Sequence, residues 1–305
     1  MPLRANRRFR VLQVAVSALL IATPLAANDF AGLVDIGSGR KLYMECRGEG
    51  SPAVILISGK GDRADTWSVR VPGNTGVPVF PEIAKLTRVC AYDRPGTVGA
   101  LAAEPSRSNP APLPTSAAGA ASDLQALLAA ARMPGPYVLV GHSIGGLIAR
   151  LVASENGVDV AGLVLEDALS EDLYSGLTGD QRALLERLNS GPEDYDMAAT
   201  FEQVQEARPV RPMPVAVLTA GKPQLTPEAI ASGRLPPEVT QAFADALWAA
   251  QTTAQNNLAD LFPGDRHIIV QNSTHYIHID QPQATIDAIG DVVEAVRAGK
   301  DRLVP

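Results

Sequence analysis

Histidine and cysteine are scarce in this chain. Four histidines and two cysteines occur among 305 residues, and no group of them has the spacing of a metal site. Nothing resembles the glycine and lysine pattern of a phosphate-binding loop. No cofactor is implied. Basic residues are also in deficit, with 26 Lys and Arg against 33 Asp and Glu and a formal charge of −7. That balance argues against nucleic acid, anionic membranes and polyanionic substrates. A polar linker between two cores is missing as well, so a single domain with an insertion is expected, although the length exceeds the single-domain prior.

The amino terminus has the pattern of a leader. Arg4, Arg7, Arg8 and Arg10 precede the apolar run Val11 to Leu20, and small residues end at Ala26-Ala27. The run is short for a spanning helix, which favours a cleaved signal peptide over 1–27 and no membrane anchoring afterwards. Without that leader the chain has 22 basic and 33 acidic residues, a formal charge of −11. The expected location is periplasmic or extracellular.

The most informative stretch is Tyr137 to Arg150, YVLVGHSIGGLIAR. An apolar strand runs into Gly141-His142-Ser143-Ile144-Gly145 and directly into a helix, as in a nucleophile elbow. A serine on such a turn needs unusual backbone angles and very small residues two positions either side. Gly141 and Gly145 meet that demand. The helix beginning at Ile144 aims its N–H groups and positive dipole end at an anion forming near Ser143.

Serine needs a base. His142 abuts Ser143, and its side chain is expected to point away from the hydroxyl. His267 opens the strand-like His267-Ile268-Ile269-Val270, where a structural role is expected. His275 and His278 lie in a loop after that strand, before a helix with Pro282 near its first turn. Such a loop falls at the carboxyl edge of the sheet, beside the elbow.

From about Gly39 to about Gly299 the chain resembles the α/β-hydrolase family. Besides the elbow, the resemblance is carried by Pro52 to Gly61 and on to Trp67, similar to the family's strand and oxyanion loop but with Ser58 where many members have histidine. Arg88-Val89-Cys90-Ala91-Tyr92-Asp93-Arg94-Pro95-Gly96 looks like the segment that follows. The resemblance places the catalytic histidine at His275, seven residues before Pro282, and leaves His278 as a loop residue lining the pocket. Many relatives carry the acid after the strand that here reads Pro214 to Gly221, yet 222–227 contains no carboxylate. Some carry it one strand earlier, where Ala161 to Leu165 ends in Glu166-Asp167. Alternation puts these two on opposite faces, so only one reaches the site. Asp167 is the acid expected, with Glu166, Asp172 and Glu228 as substitutes. The oxyanion donors implied are the N–H groups of Ile144 and Lys60.

The fold class expected is α/β: a mostly parallel sheet with helices on both faces and a helical lid. Residues 31–47 suggest a hairpin, and Val54–Ile57, Val89–Tyr92, Tyr137–Val140, Gly162–Leu165, Val215–Thr219 and Ile268–Gln271 read as buried parallel strands. Leu124, Leu127 and Leu128 have helical spacing, and Pro282 to Arg297 forms a closing helix. Residues 97–115 look like a long surface loop. Residues 28–305 form one domain, with a lid insertion at about 168–212. Gly59, His142, Leu173, Tyr174 and His278 are the expected substrate contacts. Cys46 and Cys90 sit in strands that are neighbours in the resembled fold, which leaves open a disulfide or two buried thiols.

The function this implies is a secreted serine hydrolase acting on a small-molecule carboxylic ester through a Ser143–His275–Asp167 triad. Peptidase or acyl transfer through the same acyl-enzyme, and a binding protein without catalysis, are the alternatives.

Overall fold

The computed structural model of the protein describes residues 29–71, 76–155, 159–207 and 209–303; the leader expected over 1–27 lies outside them. The described residues open with a hairpin, β1 (Phe30–Gly37) and β2 (Arg40–Arg47), whose turn holds Gly37, Ser38 and Gly39 at positive φ. Strand β3 (Ala53–Ile57) follows, then a 3₁₀ turn (Ala64–Ser68), α1 (Val79–Leu86), β4 (Val89–Tyr92), α2 (Ala117–Ala130), β5 (Tyr137–His142), α3 (Ile144–Ser154) and β6 (Val160–Glu166). The insertion carries a 3₁₀ turn (Glu171–Gly176), α4 (Gly179–Leu188) and α5 (Met197–Glu206). Strand β7 (Val215–Ala220), α6 (Pro227–Ala231), α7 (Gln241–Asp260), β8 (Arg266–Val270), α8 (Ile277–Asp280) and α9 (Pro282–Arg297) complete the chain. The stretch expected as a plain loop before α9 thus contains the short helix α8.

The strands form one sheet in the order β1-β2-β4-β3-β5-β6-β7-β8. The β1–β2 and β2–β4 pairs are antiparallel, and every later pair is parallel. Both faces are covered, which is why the parallel strands read as unbroken apolar runs. Along β3, Ile55 and Ile57 pack on one side with Leu124 and Leu147 from α2 and α3. Val54 and Leu56 pack on the other with Phe80 and Ile289 from α1 and α9. A third, smaller core joins the insertion to the α6–α7 region through Leu177, Leu184, Leu185 and Phe243.

At the β2–β4 joint Cys46 and Cys90 are opposed in register and joined by a disulfide. Helix α2 is capped by Ser116, whose hydroxyl accepts from Gly119 N–H, and α4 by a Thr178–Gln181 capping box. Residues 97–115 form no helix or named strand, but isolated bridges tie Val98 to Asp62 and Thr115 to Tyr195. The carboxyl ends of β3, β5, β6, β7 and β8 therefore converge on one edge, where the candidate site lies.

Candidate active site

Ser143 occupies the step from β5 to α3 with φ 53° and ψ −123°. A non-glycine residue rarely holds such angles, and the turn survives because its surroundings leave the chain no alternative. A β-carbon on Gly145 would lie 2.3 Å from the Ile57 carbonyl oxygen, and one on Gly141 would lie 2.5 Å from that of Gly145. Gly145 thus lets the elbow run hard against the end of β3, and Gly141 lets the strand pass close under the first turn of α3.

Asp167 follows β6 directly and, like Ser143, sits at positive φ, 38°. Its carboxylate is buried and accepts three hydrogen bonds: from Ala220 N–H at 2.9 Å, Gln251 Nε2 at 2.7 Å and His275 Nδ1 at 2.6 Å. Ala220 ends β7, so Asp167 reaches across to the place where the sequence shows no carboxylate. His275 stands on the loop between β8 and α8. Burial pushes its pKa down, but the Asp167 hydrogen bond and charge, followed by the charges of Glu166 and Asp62, outweigh that and leave it raised above the ordinary imidazole value.

Glu166 points the other way, as alternation requires. It is fully buried; Oε1 accepts from His278 N–H at 3.0 Å and His278 Nδ1 at 2.5 Å, and Oε2 accepts from Thr285 Oγ1 at 2.8 Å. The His278 ring packs 4.4 Å from that of Trp67, and its Nε2 lies 3.2 Å from Thr66 Oγ1. The expectation that His278 lines the pocket is therefore corrected: its ring is sealed in the packing beneath the site, because Glu166 and Trp67 draw it inward. Polar atoms of His142, Glu166 and His278 lie within 4.8 Å of one another, near enough to share a metal ion. The carboxylate is already engaged with three donors from His278 and Thr285, so Glu166 and His278 work as a hydrogen-bonded support, with the His142 ring packed 4.9 Å from that of His278.

His142 braces the histidine loop. Its Nε2 is 3.0 Å from the His275 carbonyl oxygen, and since a carbonyl only accepts, Nε2 carries the proton. Burial, then the charges of His275 and His278, hold its pKa well below the ordinary value. The neutral ring leaves Nδ1 as a bare acceptor, with no hydrogen-bond partner among the described residues.

One cavity of about 520 Å³ joins these parts. Ser143, Asp167 and His275 line it, as do Gly59, Lys60, His142 and Ile144. Leu173 and Tyr174 of the insertion also line it, whereas His278 does not. The sequence reading missed Gln251, Asp62 and Tyr276, which line the cavity as well. Burial, followed by the Asp62 charge and hydrogen bond, pushes the Tyr276 hydroxyl up to about 12. Gln251 lies on a helix of ordinary polar spacing, and nothing in the sequence marks it as a partner of Asp167. Arg94 and Glu193 hold the backbone of residues 58–61 from behind, and no local pattern in the sequence marks this pair, whose members are 99 positions apart.

Comparison with known proteins agrees with this architecture. Residues 54–288 match the profile described as the alpha/beta hydrolase family. An uncharacterized Bacillus subtilis protein, YqjL, is 24% identical over 260 residues, covering 81% of this chain and 85% of that protein. A shorter match of 37% over 90 residues covers 15% of an uncharacterized protein of Schizosaccharomyces pombe. Among solved structures, a thermophilic esterase from Thermogutta terrifontis superposes with a TM-score of 0.56 at 18% identity, over 89% of this chain and 99% of that one. The carboxylesterase CesB of Bacillus subtilis gives 0.53 at 16% identity, over 88% and 93%. At such identities the likeness is one of fold.

Proposed function

The chain belongs to the alpha/beta hydrolase family and is a hydrolase by that membership, and we propose that it cleaves carboxylic esters through an acyl-enzyme on Ser143. The observation that carries the reading is the pairing of His275 with a three-fold hydrogen-bonded Asp167 on the wall that also presents Ser143 on its strained turn. His275 takes the Ser143 proton as Oγ attacks the acyl carbon, while Asp167 holds the tautomer and stabilises the imidazolium. The N–H groups of Ile144 and Lys60 receive the developing oxyanion. As the intermediate collapses, the alkoxide leaves with the proton from His275. Water then repeats the sequence on the acyl-enzyme and releases the acid.

Residues 168–212 serve as a lid over the acyl or alcohol group, with Leu173 and Tyr174 as its apolar wall. Carboxylates at Asp62, Glu186, Asp194 and Asp196 also line the cavity, against one lysine, Lys60. That imbalance supports neutral or cationic substrates over anionic ones. The Cys46–Cys90 disulfide supports export by the leader at 1–27 into an oxidising compartment.

The test is hydrolysis of p-nitrophenyl esters from acetate to dodecanoate by the mature protein, with Ser143→Ala as control. Turnover that vanishes in the variant supports the reading, and the best chain length sizes the cavity. Folded protein that cleaves none of the series contradicts it and leaves peptidase, acyltransferase or binding roles.

A further inference from the structure

The loop that carries Lys60 is gripped from behind by an ion pair whose halves come from distant parts of the chain. Arg94 follows β4, and Glu193 belongs to the insertion. Both side chains are almost wholly buried, at 3% and 1% exposure. Arg94 Nη1 donates to the Ser58 carbonyl at 2.9 Å, Nη2 to the Gly59 carbonyl at 2.6 Å, and Nε to Glu193 Oε1 at 2.6 Å. Glu193 Oε2 accepts from Gly61 N–H at 2.6 Å, and Tyr195 Oη donates to Oε1 at 3.0 Å. Consecutive groups of the loop are thus fixed by one buried network.

The Gly59–Lys60 peptide is trans, so its carbonyl and its N–H point in opposite directions. With the carbonyl on Arg94, the Lys60 N–H faces away from the ion pair, and Lys60 lines the cavity on that other side. We infer that Arg94 and Glu193 are positioning residues that hold the Lys60 N–H ready for the oxyanion, so that the insertion helps to build the oxyanion hole as well as covering it. This inference rests on the serine hydrolase reading above.

Two physical arguments favour it. A charged donor on the carbonyl polarises the peptide and strengthens its N–H as a donor, an effect enlarged where water is excluded. A buried ion pair, moreover, is a poor stabiliser, because desolvation offsets its attraction. Two carbonyls and an N–H held at once are what the pair supplies in return. Lysine cannot substitute for Arg94, since it lacks the planar fork that reaches Ser58, Gly59 and Glu193 together.

The experiment compares wild type with Arg94→Lys and Glu193→Gln on an ester the wild type turns over. Two further readouts are affinity for a trifluoromethyl ketone, which adds Ser143 to form an oxyanion, and affinity for the product acid. Arg94→Lys should lower kcat by about 100-fold, the scale of one lost oxyanion donor, with KM within about threefold. Ketone affinity should fall in parallel while product affinity holds, since only the tetrahedral state uses the donor. Glu193→Gln keeps the shape of the site and should lose about tenfold in the same two quantities, which keeps the test open should Arg94→Lys not fold. Folded variants with unchanged kcat and ketone affinity, or with the loss confined to KM, overturn the inference. A wild type that neither turns over esters nor binds the ketone overturns the underlying hydrolase reading instead.

Discussion

Two carboxylate–histidine pairs stand back to back at the end of β6. Asp167 holds His275 at 2.6 Å and Glu166 holds His278 at 2.5 Å. The acids are sequence neighbours and the histidines are three residues apart, yet one pair lines the cavity and the other is buried beneath it. The chemistry of the pairs is alike, and their surroundings separate them. Asp167 and His275 are joined by a donor from α7 and open onto Ser143, while Glu166 and His278 are closed off by Trp67, Thr66 and Thr285. A histidine beside a carboxylate is therefore no sign of catalysis until its access to a nucleophile is known.

The sharpest way to break this contrast is to remove each histidine's function in turn. His275→Ala should lower kcat by about 10⁴-fold or more while the protein remains folded, because triad members act as a unit. Asp167→Asn should cost about 10⁴-fold through the wrong tautomer. Asparagine tolerates the positive φ of Asp167, but its NH₂ meets donors that the carboxylate accepted, so the variant should stay folded and melt several degrees below wild type. Steady-state kinetics beside thermal melts would check both.

Glu166→Gln should act on stability more than on turnover. The amide oxygen can keep both His278 donors while the Thr285 hydroxyl turns to accept from the NH₂, but the buried bonds lose their charge assistance, so about 1–2 kcal/mol of stability should be lost, visible as a lower denaturant midpoint. Its kcat should fall less than tenfold. A kcat loss as deep as that of Asp167→Asn would erase the distinction between the pairs.

The pH dependence sharpens the same comparison more gently. In the proposed mechanism only neutral His275 can accept the Ser143 proton; burial pulls its pKa down, and the Asp167 hydrogen bond and charge outweigh that and leave it raised. Activity should therefore rise with pH through an inflection above the usual imidazole value of about 6.5, and Asp167→Asn should move that inflection down. The linked stability has the opposite sense: a raised folded pKa stabilises the native state below the unfolded value, and that contribution is lost as pH climbs through the folded one. The smallest expected effect concerns charge, where an ester with an anionic acyl tail should show a kcat/KM about tenfold below its neutral isostere, set against the lining carboxylates.

Much of the fold was legible because its strands are buried on both faces and end at strong breaks. The closing helix runs over Pro282–Arg297, where the proline and the apolar spacing put it. The Ser143 turn was legible through its glycines, which its close contacts with β3 and with the first turn of α3 demand. What lies far apart in sequence was not. Gln251, Arg94 and Glu193 act through contacts that span 84 and 99 positions, and no local pattern reports them. His278, expected as a loop residue lining the pocket because it falls outside the family pattern, sits on α8, whose turn directs its ring into Trp67 and into Glu166 112 positions away.

Covalent labelling by a fluorophosphonate, located by peptide mass spectrometry, in wild type, His275→Ala and Glu166→Gln separates the two histidines most directly. Rapid labelling at Ser143 is expected in wild type and in folded Glu166→Gln, with labelling lost in His275→Ala. Labelling that persists in His275→Ala, or that falls on a residue other than Ser143, would contradict catalysis by Ser143 and His275.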